Sequence, residues 1–225
     1  MVSPKFKIGV LALQGAFSDH VDILNKLNPG CVFPVRTEKQ LEECDALILP
    51  GGESTAISLI AERNGLLEPL RKFVRTKPTW GTCAGLILLA DEANRVKQGG
   101  QELLGGLHVT VNRNQFGSQL ESFEATLTIP CLSEVADIKD TNEAYRCLFI
   151  RAPVILEIKD KTTVEVLGTI DYHTTTSEKN NFPGLKDFVV AVKQDHILGT
   201  SFHPELTNDH RWHKYFLLMV EQHYI

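Results

Sequence analysis

Residues 46–55 read Ala46-Leu47-Ile48-Leu49-Pro50-Gly51-Gly52-Glu53-Ser54-Thr55, four apolar residues that stop abruptly at a proline and two glycines. A short, continuously apolar run bounded by turn residues fits a strand buried on both faces, because a half-exposed strand alternates with polar residues. Similar runs lie upstream, at residues 6–13 (FKIGVLAL), which end at Gln14-Gly15, and at residues 31–35. Between them, Val21, Leu24 and Leu27 recur at helical spacing, and residues 37–44 read as a polar helix. Ile57, Ile60 and Ala61 mark another helix, which Ser54 can cap through its hydroxyl, and residues 66–75 form a further one. Strands alternating with helices predict an α/β fold with a parallel sheet covered on both faces.

Downstream, residues 78–85 (PTWGTCAG) followed by apolar residues 86–90 read as strand, tight turn, helix. The pattern then shifts to shorter extended runs at 109–111, 122–129, 147–150, 154–158 and 164–170, which predict an antiparallel or mixed edge on the parallel core. Residues 171–187 are polar, contain Thr174-Thr175-Thr176 and Pro183-Gly184, and read as a surface excursion. Residues 188–193 and 197–201 form a closing hairpin around Gln194-Asp195-His196, and a helix covers 209–223. With no repeat or linker visible, the expectation is one domain over 1–225 with an insertion at 171–187.

Composition narrows the function classes. The chain has 225 residues, 43% hydrophobic and 23% charged, so it can build a core and is not a disordered tail. A net charge of −5 argues against nucleic-acid binding through a broad basic face. No signal-peptide pattern and no membrane-length apolar stretch is present, which gives the expectation of a cytoplasmic protein with no membrane association. Five cysteines, Cys31, Cys44, Cys83, Cys131 and Cys147, form an odd set without a Cys-x-x-Cys pair, so neither a complete disulfide framework nor a metal knuckle is expected. Most should be reduced and buried.

One cysteine stands apart. Gly81-Thr82-Cys83-Ala84-Gly85 fits the cysteine form of a nucleophile elbow, in which small neighbours permit a strained strand-to-helix turn and the helix N-terminus favours thiolate. His203 and Glu205 follow the apolar run at 197–201; in an extended segment they share a face, so Glu205 can orient the imidazole while His203 faces the thiol. Gly51-Gly52 can turn a peptide N–H toward a ligand, offering an oxyanion donor at Gly52 beside that of Ala84. The loop lacks the lysine and spacing of a phosphate-binding P-loop.

Further motifs occur in order along nearly the whole chain: LALQGAF at 11–17, LPGGEST at 49–55, GTCAGLILLA at 81–90, RNQFG at 113–117, SFE at 122–124, FIRAP at 149–153 and TSFHPELT at 200–207. Together they resemble class I glutamine amidotransferases, and more narrowly the glutaminase subunits of pyridoxal 5′-phosphate synthases. The resemblance implies a flavodoxin-like three-layer glutaminase domain with a mixed central sheet and a catalytic triad at Cys83, His203 and Glu205. It implies glutamine binding by Gly52, Glu53, Ser54, Arg113, Ile150 and Arg151, and no metal or cofactor. Arginine suits the substrate's carboxylate, with Arg151 contributing mainly backbone.

The implied reaction is hydrolysis of L-glutamine through a cysteine thioester, with ammonia delivered to a (β/α)8-barrel synthase subunit in a hetero-oligomer that makes pyridoxal phosphate (vitamin B6). Gln14 follows the first strand at the same sheet edge and is expected to couple partner docking to the oxyanion hole. Ser118 stands where the family often has a second arginine, removing one charged contact. Two other functions remain open: a glutaminase serving another synthase, such as the imidazole glycerol phosphate system, and a noncatalytic regulatory partner, whose signature would be a broken triad. A metal site at Cys83, His203 and Glu205 explains less, because the elbow and paired glycines already fit amide hydrolysis.

Overall fold

The computed structural model describes residues 6–94, 101–113, 122–135, 144–171 and 187–225. The first half runs β1 (Phe6–Leu11), α1 (Phe17–Leu27), β2 (Gly30–Val35), α2 (Glu38–Glu42), β3 (Ala46–Leu49), α3 (Ser54–Arg63), α4 (Leu67–Val74), β4 (Thr79–Thr82) and α5 (Ala84–Leu89). The second continues β5 (Ala90–Asn94), β6 (Leu107–Asn112), β7 (Ser122–Thr128), β8 (Ala144–Ile150), β9 (Val154–Ile158), β10 (Val164–Asp171), β11 (Asp187–Gln194), β12 (Ile197–Thr200) and α6 (Arg211–His223). Short 3₁₀ turns lie at Pro130–Val135 and Pro204–Leu206.

Five strands form the parallel core in the order β2-β1-β3-β4-β12. The sheet continues through antiparallel β11 and β9 to β6 and β5, with β10 also paired to β11. It is therefore mixed, as expected, while β7 and β8 make a separate two-stranded ribbon. Period-two alternation explains the continuous apolar runs. Ile8, Val10, Ala46, Ile48 and Trp80 pack into one core with Leu24 of α1 and Trp212 and Phe216 of α6. Leu11, Leu47 and Leu49 enter a second core with side chains of α2 to α5. Each face needs apolar side chains because each is covered.

Several local expectations change. The buried stripe of α1 is His20, Ile23 and Leu24, whereas Val21 and Leu27 sit at its margins. The helix after Cys83 lasts six residues, short of the expected residue 90, and gives way at Ala90 to β5, which pairs parallel with β6. Glu53, rather than Ser54, caps α3: its carboxylate accepts the N–H groups of Thr55 (3.1 Å) and Ala56 (2.7 Å). The excursion expected at 171–187 starts and ends on paired Asp171 and Asp187, and residues 172–186 between them lie outside the described residues, as does Ser118.

The cysteines divide less uniformly than expected. Cys44 and Cys147 are buried, and burial pushes the Cys44 thiol up to about 12 and raises that of Cys147. Cys131 is half-buried, with its thiol also pushed up to about 12, chiefly by burial. Cys31 is exposed on β2, against the packing expectation. No helix among the described residues is long and apolar enough to cross a membrane.

Candidate active site

β1, β3, β4 and β12 run parallel, so the loops leaving them converge at one sheet edge, the edge where open α/β folds bind ligands. Cys83 leaves β4 with φ 47° and ψ −99°, a left-handed conformation that costs a non-glycine residue about 1–3 kcal/mol. The turn is held on both sides, since Cys83 N–H donates to the Thr200 carbonyl (2.8 Å) and its own carbonyl accepts from Ile87 N–H (3.3 Å). Its glycine neighbours are sterically required. A Cβ on Gly85 would run into the Leu49 carbonyl, and one on Gly81 would meet the Gly85 backbone at 2.5 Å. The largely buried Cys83 Sγ lies 3.9 Å from the Ile150 carbonyl.

His203 arrives from β12, anchored by its N–H to the Leu148 carbonyl (2.9 Å). Glu205 does not follow in extended backbone. Pro204–Leu206 forms a 3₁₀ turn, and this turn, rather than strand alternation, brings Glu205 Oε1 to 2.7 Å from His203 Nδ1. Both side chains are buried. Burial opposes charge on the imidazole, but hydrogen bonding to Cys83 and Glu205 outweighs it and holds His203 up at about 10. For Glu205, burial likewise opposes the charge, and the neighbouring His20 and His203 overcome it, keeping the carboxyl below its usual range. Cys83, His203 and Glu205 thus meet in the order needed for nucleophile, proton carrier and orienter.

The paired-glycine loop after β3 is tied to the loop after β1. The Gly51 carbonyl accepts from Ala16 N–H (3.0 Å), and Gln14 Oε1 accepts from Glu53 N–H (2.8 Å). A Cβ on Gly51 would strike the His203 ring, so only glycine lets this loop approach the imidazole. Arg113, at the end of β6, donates through Nη2 to Glu53 Oε1 (3.3 Å) and Thr55 Oγ1 (3.2 Å). Its buried Nη1 has no acceptor among the described residues.

Between these loops lies a cavity of about 410 Å³. Cys83 and His203 line it, with Gln14 and the loop residues Gly52, Glu53 and Ser54, while Arg113, Ile150 and Arg151 also reach it. Arg151 is largely exposed and has φ 43°, consistent with a turn that presents backbone. Glu205 lies off the cavity wall behind His203, and buried Ala84 follows Cys83 at the start of α5.

Three contributors to the site stand outside the sequence motifs. Ile87 lines the cavity one turn into α5. Gln101 Oε1 accepts from Ser54 Oγ (3.0 Å) and Thr55 Oγ1 (3.1 Å), a contact across 47 residues that no local pattern announces. His20 is fully buried behind Glu205, and its position three and four residues before Ile23 and Leu24 was the available signal.

Comparison with known proteins gives the family. Residues 10–222 match the SNO glutamine amidotransferase family. The chain belongs to that family. Among its relatives is the probable pyridoxal 5′-phosphate synthase subunit PDX2 of Arabidopsis thaliana, 46% identical over 226 residues, covering 96% of this chain and 86% of the relative. The pyridoxal 5′-phosphate synthase subunit PdxT of Geobacillus thermodenitrificans is 44% identical over 217 residues, covering 96% of each chain. A crystal structure described as a glutamine amidotransferase superposes with a TM-score of 0.75 at 38% identity, covering 95% of this chain and 98% of the other. Within the SNO family frame, the large mixed sheet and its helices match a glutamine amidotransferase fold.

Proposed function

We propose that this SNO family chain is the glutaminase subunit of a pyridoxal 5′-phosphate synthase, hydrolysing L-glutamine to L-glutamate and ammonia for vitamin B6 synthesis. The observation that carries the chemistry is the His203–Glu205 pair at 2.7 Å, set beside a strained, cavity-lining Cys83. Cys83 attacks the side-chain amide carbon of glutamine, and the resulting oxyanion is held by the N–H groups of Gly52 and Ala84. His203 gives its proton to the departing ammonia, leaving a γ-glutamyl thioester. Water then attacks the thioester carbon, His203 takes the water's proton, and glutamate leaves as the thiol is restored. Glu205 fixes the imidazole throughout.

Glutamine is held by Gly52, Glu53 and Ser54, by Arg113 and by the Ile150-Arg151 backbone. The arginine Nη1 without an acceptor supports this reading, since a substrate carboxylate would supply one. Free ammonia is largely protonated near neutral pH and then is not a nucleophile, which favours delivery inside a hetero-oligomer to a (β/α)8-barrel synthase subunit. Gln14, which braces the glycine loop, couples that docking to the oxyanion hole. The whole chain acts as one glutaminase domain with a surface insertion at 171–187, working in the cytoplasm, where free thiols persist.

Glutamate release from glutamine, measured with and without the synthase subunit, tests the chemistry. Cys83→Ala is expected to abolish it, and equal release by the two proteins sinks the mechanism. Pyridoxal phosphate formation with glutamine as the sole nitrogen source tests the pathway separately.

A further inference from the structure

Behind the triad lies a buried chain of polar groups that the proposed reaction does not use. His20, on the inner face of α1, has no exposed surface. Its Nε2 lies 3.5 Å from Glu205 Oε2 and 3.4 Å from Thr82 Oγ1, while its Nδ1 lies 3.0 Å from Nε2 of His213, itself fully buried on α6. The Trp80 indole packs edge-on against both rings, with centroids 5.7 Å from His20 and 5.0 Å from His213. Glu205 therefore has two imidazoles near it: His203 is hydrogen-bonded to Oε1, while His20 Nε2 stands 3.5 Å from Oε2, a buried oxygen with no hydrogen bond among the described residues.

The proton placement follows from counting donors. His213 Nδ1 is buried with no partner among the described residues, so a proton there would be stranded; a bare nitrogen is cheaper. A neutral His213 then carries its proton on Nε2 and donates to His20 Nδ1. His20, receiving at Nδ1, carries its own proton on Nε2, where it points between Glu205 Oε2 and Thr82 Oγ1. The opposite assignment strands the His213 proton and sets a bare His20 nitrogen against a buried carboxylate oxygen that already has no hydrogen bond among the described residues, whereas this one puts the proton on the nitrogen 3.5 Å from it.

We infer that His20 is a positioning residue of the glutaminase triad: its Nε2–H holds Glu205 Oε2, and His213 fixes the tautomer that makes this possible. The inference rests on the triad reading of Cys83, His203 and Glu205. Burial lowers the proton affinity of both His20 and His213, consistent with a neutral pair. The charged and titratable groups facing the pair are Glu205 and His203 at the end of β12, Asp19 on α1 and His210 beside α6. With His203 bonded to Oε1 and the His20 N–H set against Oε2, rotation or protonation of the carboxylate is disfavoured, so His203 stays aimed at the thiol.

Three variants, assayed in the full chain with the synthase subunit, separate this role from packing. His20→Asn keeps a polar group near Nδ1 but cannot reach Glu205, whereas His20→Gln places an amide N–H near the Nε2 position. His20→Asn is expected to lower kcat about tenfold with little change in the KM for glutamine, and to move the acid limb of kcat/KM to higher pH as Glu205 loses a donor. His20→Gln is expected to recover most of both. Equal losses in the two variants, or a loss matched by a fall in melting temperature with an unmoved acid limb, overturns the role. Nitrogen-15 imidazole shifts of the unmodified protein give an independent check that needs no folded variant: at neutral pH, His20 must be protonated at Nε2 and bare at Nδ1, and the reverse tautomer rejects the inference. Cys83→Ala completes the set. If wild type and Cys83→Ala release glutamate equally, the glutaminase reading itself has failed, whatever the His20 tautomer.

Discussion

Gln14 and Glu53 are 39 residues apart in sequence, yet the Gln14 side-chain oxygen accepts the Glu53 backbone N–H at 2.8 Å. The bond ties the loop after β1 to the loop after β3, next to the glycine whose N–H is assigned to the oxyanion. A Cβ on Gly52 would lie only 2.5 Å from the same Gln14 oxygen, so the two loops are in contact. Gln14→Ala removes the brace and leaves the triad itself untouched. We expect partner-stimulated glutaminase activity to fall about tenfold, the scale of one well-placed hydrogen bond, with a smaller effect on the unstimulated rate. Stimulation equal to wild type would reject the coupling role.

Gly51 faces the His203 ring, and a methyl there cannot be accommodated without moving the imidazole or the loop. Gly51→Ala should therefore lower kcat by about a hundredfold, because displacement of a catalytic group by around 1 Å carries losses of that order. The melting temperature should move by only a few degrees, since the loop lies at the sheet edge, outside the two apolar cores. Wild-type kcat in this variant would show that the loop does not constrain the histidine.

The parallel core was legible because its physics is local: ALIL at 46–49 and the runs around it are apolar on both faces, and both faces are covered. The elbow was legible because a strained turn between Gly81 and Gly85 tolerates few residues. What escaped depended on distance in space. Gln101 meets Ser54 through a contact that sequence spacing does not encode. His20 sits on an apolar helix face, where a histidine reads as packing until Glu205 is found beside it. Even the correct pairing of His203 with Glu205 rested on extended backbone, whereas a 3₁₀ turn begun by Pro204 achieves the same approach.

The pH profile tests that pair. His203 is held up at about 10 against an ordinary 6.5, burial being outweighed by Cys83 and Glu205. Protonated imidazole is the form that donates to departing ammonia, so kcat/KM should hold through weakly alkaline pH and decline as pH rises through about 10. The same elevation means that His203 contributes stability fully below about pH 6.5, and that this contribution is lost as pH climbs toward about 10. Glu205→Gln removes one of the partners raising the imidazole, and its alkaline limb must move to lower pH. A limb that stays in place would separate Glu205 from the titration of His203.

Arg113 offers the sharpest test of substrate binding. One of its terminal nitrogens is committed to Glu53 and Thr55, the other is buried with no acceptor among the described residues, and the residue lines the cavity. A glutamine carboxylate placed there completes the guanidinium's bonding, and a charge-assisted bond of this kind contributes about 1.5–3 kcal/mol. Arg113→Ala is therefore expected to raise the KM for glutamine roughly ten- to a hundredfold with a smaller fall in kcat, as removal of ground-state binding requires. Arg113→Lys should recover little, because a single ammonium cannot hold Glu53 and the substrate in the same planar geometry. Steady-state kinetics over a range of glutamine concentrations distinguishes the outcomes: a loss confined to kcat would move Arg113 from substrate binding to the support of Glu53 and the glycine loop.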